Sequence, residues 1–151
     1  MQEVKNKAPK HVITILCDDI RQEMDGRTSL MGIYENHIVV PQVPCIIPKI
    51  CFYNRFRNMD GQYKFSLSTV SPSGERHDAI RDSDVQIPEG RNETTFNVTV
   101  SPMEVKAEGQ YEVIIGLTKG ADRIEYVYKF AIFSHERLKA EWEAKQKEGN
   151  S

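Results

Sequence analysis

Four carboxylates crowd one short segment of the chain: Asp18, Asp19, Glu23 and Asp25. A hard divalent cation such as calcium takes about six to eight oxygen ligands, and loops at one end of a β domain often supply them. The spacing here argues against that use. The four residues straddle a strand and a turn, no second acidic loop closes the shell, and Arg21 stands among them as an ion-pair partner. The expectation is no metal, with the carboxylates bonding backbone N–H groups of a bulge and a turn.

A second group joins positive charge to an aromatic ring. Lys49, Tyr53, Arg55 and Arg57 alternate along one segment and so share one face of a strand. Such a face can hold phosphates and stack bases. More often it is the solvated side of a strand, with arginine stems lying over a ring. The chain carries 20 Lys plus Arg against 22 Asp plus Glu, a formal charge of −2. Nucleic-acid binding draws on counterion release by a basic excess, which is absent. The face is kept as a candidate for an anionic partner, and nucleic acid is not expected.

Covalent chemistry has less to work with. His11, His37, His77 and His135 are scattered, and none adjoins a Gly-flanked serine. Ser73-Gly74 lies in a polar turn rather than at a strand-to-helix elbow. His77-Asp78 reads as an exposed pair on an edge strand. Cys17, Cys45 and Cys51 form no CxxC and supply too few ligands for zinc. They read as reduced thiols, two or three of them buried, in a cytoplasmic protein. The nine glycines are spread through turns and make no phosphate or dinucleotide loop. No catalytic residue, enzyme activity or cofactor is expected.

The elements that must position these groups are strands. The chain has 14 Ile and 12 Val against 5 Leu and 7 Ala, and residues branched at Cβ favour a pleated surface over a helix. Residues 11–17, HVITILC, are apolar on both faces and predict a strand covered on both sides for part of its length. Asp25-Gly26 turns it into a return strand, 28–34. Pro41, Pro44 and Pro48 mark a connection or sheet rim. Residues 49–57 alternate, Asp60-Gly61 turns, and 63–70 reads as the partner strand with Tyr63, Phe65, Leu67 and Thr69 inward. Residues 75–87 predict one or two short edge strands. The segment 94–100 points Phe96, Val98 and Val100 inward, and 110–119 does so with Tyr111, Val113, Ile115 and Leu117.

Strands at this spacing predict an all-β, antiparallel immunoglobulin-like or Greek-key sandwich of about seven to nine strands with one C-terminal helix. Tyr111 after Gly109 sits where a tyrosine corner would, its hydroxyl returning to the preceding loop. An antibody-type cysteine and core tryptophan are missing. The boundaries read as a polar tail over 1–10, the sandwich over 11–133, a helix over 134–147 and a frayed tail over 148–151. No membrane span and no secretory signal are evident.

The last strand, 124–133, is apolar on both faces, so something should cover its second face. Ser134 is a good N-cap, and the following helix is the natural cover. That helix is mostly charged, with Leu138 and Trp142 four apart on one side. Val127, Phe133, Leu138 and Trp142 are therefore the candidate interface. Aromatic anchors on a thin apolar stripe suit contact with a protein partner or with a second copy of the chain. The leading expectation is a non-enzymatic interaction module. The alternative is a small-ligand or carbohydrate-binding sandwich with Tyr53, Tyr126 and Tyr128 lining a cleft.

The segment Cys17-Asp18-Asp19-Ile20-Arg21-Gln22-Glu23, with Asp25-Gly26, Ser29-Leu30 and Gly32-Ile33-Tyr34, resembles a family of uncharacterised bacterial proteins that carries a domain-of-unknown-function label. Pro48, the Ser71–Glu75 turn, Gly109 and Tyr111 follow in the same order, and the resemblance spans roughly residues 12–133. It implies a small single-domain β-sandwich in a bacterial cytoplasm and carries no activity or site residue. The charged C-terminal helix is an addition to that pattern.

Overall fold

The computed structural model describes residues 8–149. Most of the expected N-terminal tail, and residues 150–151 of the expected C-terminal one, lie outside the described residues. The elements are β1 (Lys10–Gln22), β2 (Thr28–Tyr34), β3 (His37–Val40), β4 (Cys45–Ile47), β5 (Ile50–Arg57) and β6 (Gly61–Val70), followed by β7 (Arg76–Ile87), β8 (Glu93–Val100), β9 (Met103–Val105), β10 (Gly109–Lys119), β11 (Asp122–Ser134) and α1 (His135–Gly149). The helix thus runs past 147, its expected end, into the segment expected to fray.

One sheet has the order β2-β1-β5-β8 and the other β3-β11-β10-β6-β7, with β4 and β9 forming a small ribbon. The strands pair antiparallel except β3, which runs parallel to β11 over Ala131–Ser134. The described residues hold eleven strands, more than the expected seven to nine. The excess comes from β3, β4 and β9, of four, three and three residues. Of these, residues 38–40 read from the sequence as an extension of the preceding strand or a short edge, while β4 and β9, flanked by proline, show no period of two long enough to read.

The two large sheets face each other across one core. Phe65 of β6 stacks on Phe96 of β8 with centroids 4.5 Å apart, and Phe52 of β5 meets Phe130 of β11 edge-on at 6.4 Å. Tyr126 of β11 meets Phe56 of β5 at 5.3 Å. Phe52 and Phe56 are fully buried. Each such side chain contributes about 1.5–3 kcal/mol through the area it removes from water. The inward sets expected on β6, β8 and β10 are all buried. The Tyr111 hydroxyl donates to the Ala107 carbonyl at 2.7 Å, tying the start of β10 to the loop before it.

Two expectations need correction. Asp60-Gly61 does not close a hairpin: β5 and β6 belong to different sheets, and the buried Met59 pins the crossing between them. β1 runs on past its apolar stretch through Asp18-Asp19 to Gln22, where β2 still offers a partner. The helix covers the outer face of β11 only at its Phe133 end. None of its residues is buried, and Val127 stays 53% exposed.

Candidate functional site

The acidic group sits along the β1–β2 hairpin, and each carboxylate is engaged within it. Asp18 accepts from the Tyr34 hydroxyl at 2.5 Å. Asp19 accepts from Lys49 at 2.8 Å and from Arg21 at 3.0 Å. These two side-chain hydrogen bonds hold its carboxyl down at about 2. Glu23 accepts from Ser29 at 2.8 Å, and Asp25 accepts from the Arg27 backbone N–H and pairs with its side chain. The four therefore shape the hairpin, mostly through side-chain partners rather than the backbone N–H groups expected.

The basic and aromatic side chains share the outer face of the four-stranded sheet, and each cation lies near a carboxylate. Lys49 is the partner of Asp19. Arg57 lies 2.9 Å from Glu93, and Arg55 lies 3.8 Å from the same carboxylate. Arg55 also donates to the Tyr53 hydroxyl at 3.0 Å, and Tyr53 is only 7% exposed. The face thus presents three cations on two carboxylates over a buried ring.

At the candidate interface, Ser134 caps α1 by accepting from the Arg137 N–H at 3.1 Å. Glu108 accepts from the Ser134 N–H. Phe133 and Leu138 occupy the two positions of a hydrophobic staple, and both are half-buried. The Arg137 guanidinium lies 5.0 Å over the Phe133 ring. These contacts fix how the helix leaves the sheet. Trp142, one turn beyond Leu138, is 61% exposed. Of the four interface residues, then, Phe133 and Leu138 are half spent on the chain itself, while Val127 and Trp142 face outward.

The tyrosines do not share a cleft. Tyr126 and Tyr128 point into the core from β11, and Tyr53 lies on the outer face of the opposite sheet. A cleft of about 330 Å³ opens elsewhere, beside the start of β7 and the β8–β9 corner, lined among others by Thr69, Glu75, His77, Glu104, Lys106 and Tyr111. Lys106 lies 3.4 Å from Glu75 and 3.9 Å from Glu104. None of the acidic hairpin residues reaches it.

Two features escaped the sequence reading. Ile13, Met31 and Ile33 lie on the outer face of β1 and β2 and are 42%, 45% and 54% exposed. Beneath them Cys17 and Cys51 are direct register partners, both buried. Burial, then the neighbouring Cys51, pushes the Cys17 thiol up to about 11. The period of two was readable for both. What hid them was the assumption that an apolar outer face must be covered.

Residues 12–118 match the model of a family of unknown function, DUF6941. The chain belongs to this family. The DUF6941 match runs from β1 almost to the end of β10, and so takes in the acidic hairpin, the basic face and the cleft. It stops before β11 and α1, which carry the candidate interface. No curated protein matches the chain. Among the described residues no helix is long and apolar enough to cross a membrane.

Proposed function

We propose that this DUF6941 protein is a non-enzymatic interaction module that binds a protein surface through the end of β11 and through α1. The partner is a second copy of the chain or another protein. The observation that carries this reading is the state of α1. It has fifteen residues, none of them buried, and it bears the chain's only tryptophan at 61% exposure. An isolated helix of that length is marginal in water, and most helices gain their stability by packing one face. An exposed indole on such a helix is the kind of anchor that dominates interface energetics.

The finer architecture fits the same proposal. The parallel β3–β11 pairing, the β1-β5-β8 order in the facing sheet and the Tyr111–Ala107 bond favour an immunoglobulin-like arrangement, with β2 added at an edge. Three free cysteines favour a reducing compartment such as the cytoplasm.

Trp142 is its own reporter. Its emission should shift to shorter wavelength, and acrylamide quenching should weaken, as the protein is concentrated or its partner is added. An indole equally accessible at every concentration and in the presence of proteins from the native source would contradict the proposal. A second reading, small-ligand binding, draws support from the cleft that holds His77 and Lys106. A His77→Ala-sensitive thermal shift with a sugar or small amine would favour it.

A further inference from the structure

Cys17 of β1 and Cys51 of β5 are paired across an antiparallel ladder, and both side chains lie on the outer face of the four-stranded sheet, opposite to Leu16 and Phe52 in the core. Direct partners in such a ladder have Cα atoms about 4.5–5.5 Å apart, inside the range of about 4.4–6.8 Å that a disulfide spans. Their Cβ atoms stand about 4.5–5.5 Å apart, against about 3.5–4.5 Å in a disulfide, so closing the bond draws the strands together by roughly an ångström. A bond formed under that strain is easily reduced again. The third thiol, Cys45, lies in β4, which belongs to the separate ribbon.

We propose that Cys17 and Cys51 are a redox pair that closes reversibly into a cross-strand disulfide. Hydrogen peroxide is the oxidant. One thiolate attacks a peroxide oxygen, giving a sulfenic acid and releasing hydroxide. The second thiol then displaces water from that sulfur. Overall two S–H bonds break, one S–S bond forms, each sulfur gives up one electron, and one peroxide becomes two waters. The neighbours suit a resolving step. The Cys51 sulfur lies 3.5 Å from the Thr99 hydroxyl and 3.7 Å from the Asp18 carbonyl, both able to hold its thiol in place. Ile33, the β2 partner of Cys17, stands beside it on the same face and is exposed, so closure acts next to the apolar patch. Burial makes the reaction slow at neutral pH. Because the thiolate is the nucleophile, its rate should rise about tenfold per pH unit below the thiol pKa.

The test treats the full chain with peroxide and reads intact mass and a non-reducing peptide map. The expected product is lighter by two hydrogen atoms, carries one link between the peptides holding Cys17 and Cys51, and regains three thiols with dithiothreitol. The Cys45→Ser chain should behave in the same way, whereas Cys17→Ala and Cys51→Ala should lose the link. Three titratable thiols after peroxide, a link that uses Cys45, or oxygen added to both cysteines in the wild-type chain would overturn the proposal. The wild-type and Cys45→Ser measurements decide it even if a variant at Cys17 or Cys51 fails to fold.

Discussion

Asp18 and Gly32 pack against each other across the β1–β2 hairpin so closely that a Cβ built on Gly32 would lie 2.3 Å from Asp18 Oδ2. Gly32 also has φ +67, where a side chain is strained whatever the space. The contact leaves Asp18 in reach of the Tyr34 hydroxyl, which donates to it.

Gly32→Ala should therefore destabilise the fold by about 2–3 kcal/mol, part from backbone strain and part from the clash. Urea unfolding measures it. Asp18→Ala in the Gly32→Ala background should recover the clash and leave the strain. An alanine variant as stable as the wild type would refute this view of the hairpin.

Asn54 is fully buried between the sheets. Its carbonyl accepts from Thr14 at 2.9 Å, its amide donates to the Phe96 carbonyl at 3.0 Å, and His11 lies 2.7 Å from the Thr14 hydroxyl. Asn54→Ala opens a cavity and strips partners from two buried groups, at a cost of about 2–4 kcal/mol. Asn54→Asp should cost more at neutral pH. Its deficit relative to wild type should shrink in acid, where the buried carboxyl takes up a proton.

Alkaline pH should destabilise the protein. Cys17 goes from an ordinary 9.0 in the unfolded chain to about 11 in the folded one, through burial and then Cys51. Tyr34 goes from 10.0 to about 12, through burial and then its bond to Asp18. Between those values the unfolded state binds fewer protons, so stability is full below about pH 9 and falls as the pH climbs. Cys17 alone accounts for a loss on the order of 3 kcal/mol. Cys17→Ala should flatten the fall between pH 9 and 11 in denaturation midpoints. An unchanged slope would contradict the assignment.

Much of the fold was legible because Cβ-branched residues alternate cleanly. Phe96, Val98 and Val100, and Tyr111 to Leu117 at every second position, point inward as their spacing predicts. The Ser134 cap was equally visible. Which strands share a sheet was not. Asp60-Gly61 looks like Asp25-Gly26, yet only the second closes a hairpin, because the choice depends on where Met59 is buried and on the partners β6 finds far along the chain. The candidate site was less legible still. Charge alternation revealed Arg55 and Arg57, whereas their shared partner Glu93 lies 36 residues beyond Arg57, on β8. The cleft at His77 draws its walls from separate strands and loops, and no local pattern announces it.

Sedimentation equilibrium of the full chain beside Trp142→Ala is the most direct test of the interaction reading. The account predicts a wild-type mass that rises with concentration, or a defined complex once a partner is supplied, and weakens at least tenfold on losing the indole, a change of about 1.4 kcal/mol. Two chains that sediment as identical monomers at every concentration and hold the same partner equally well, or none, would contradict it.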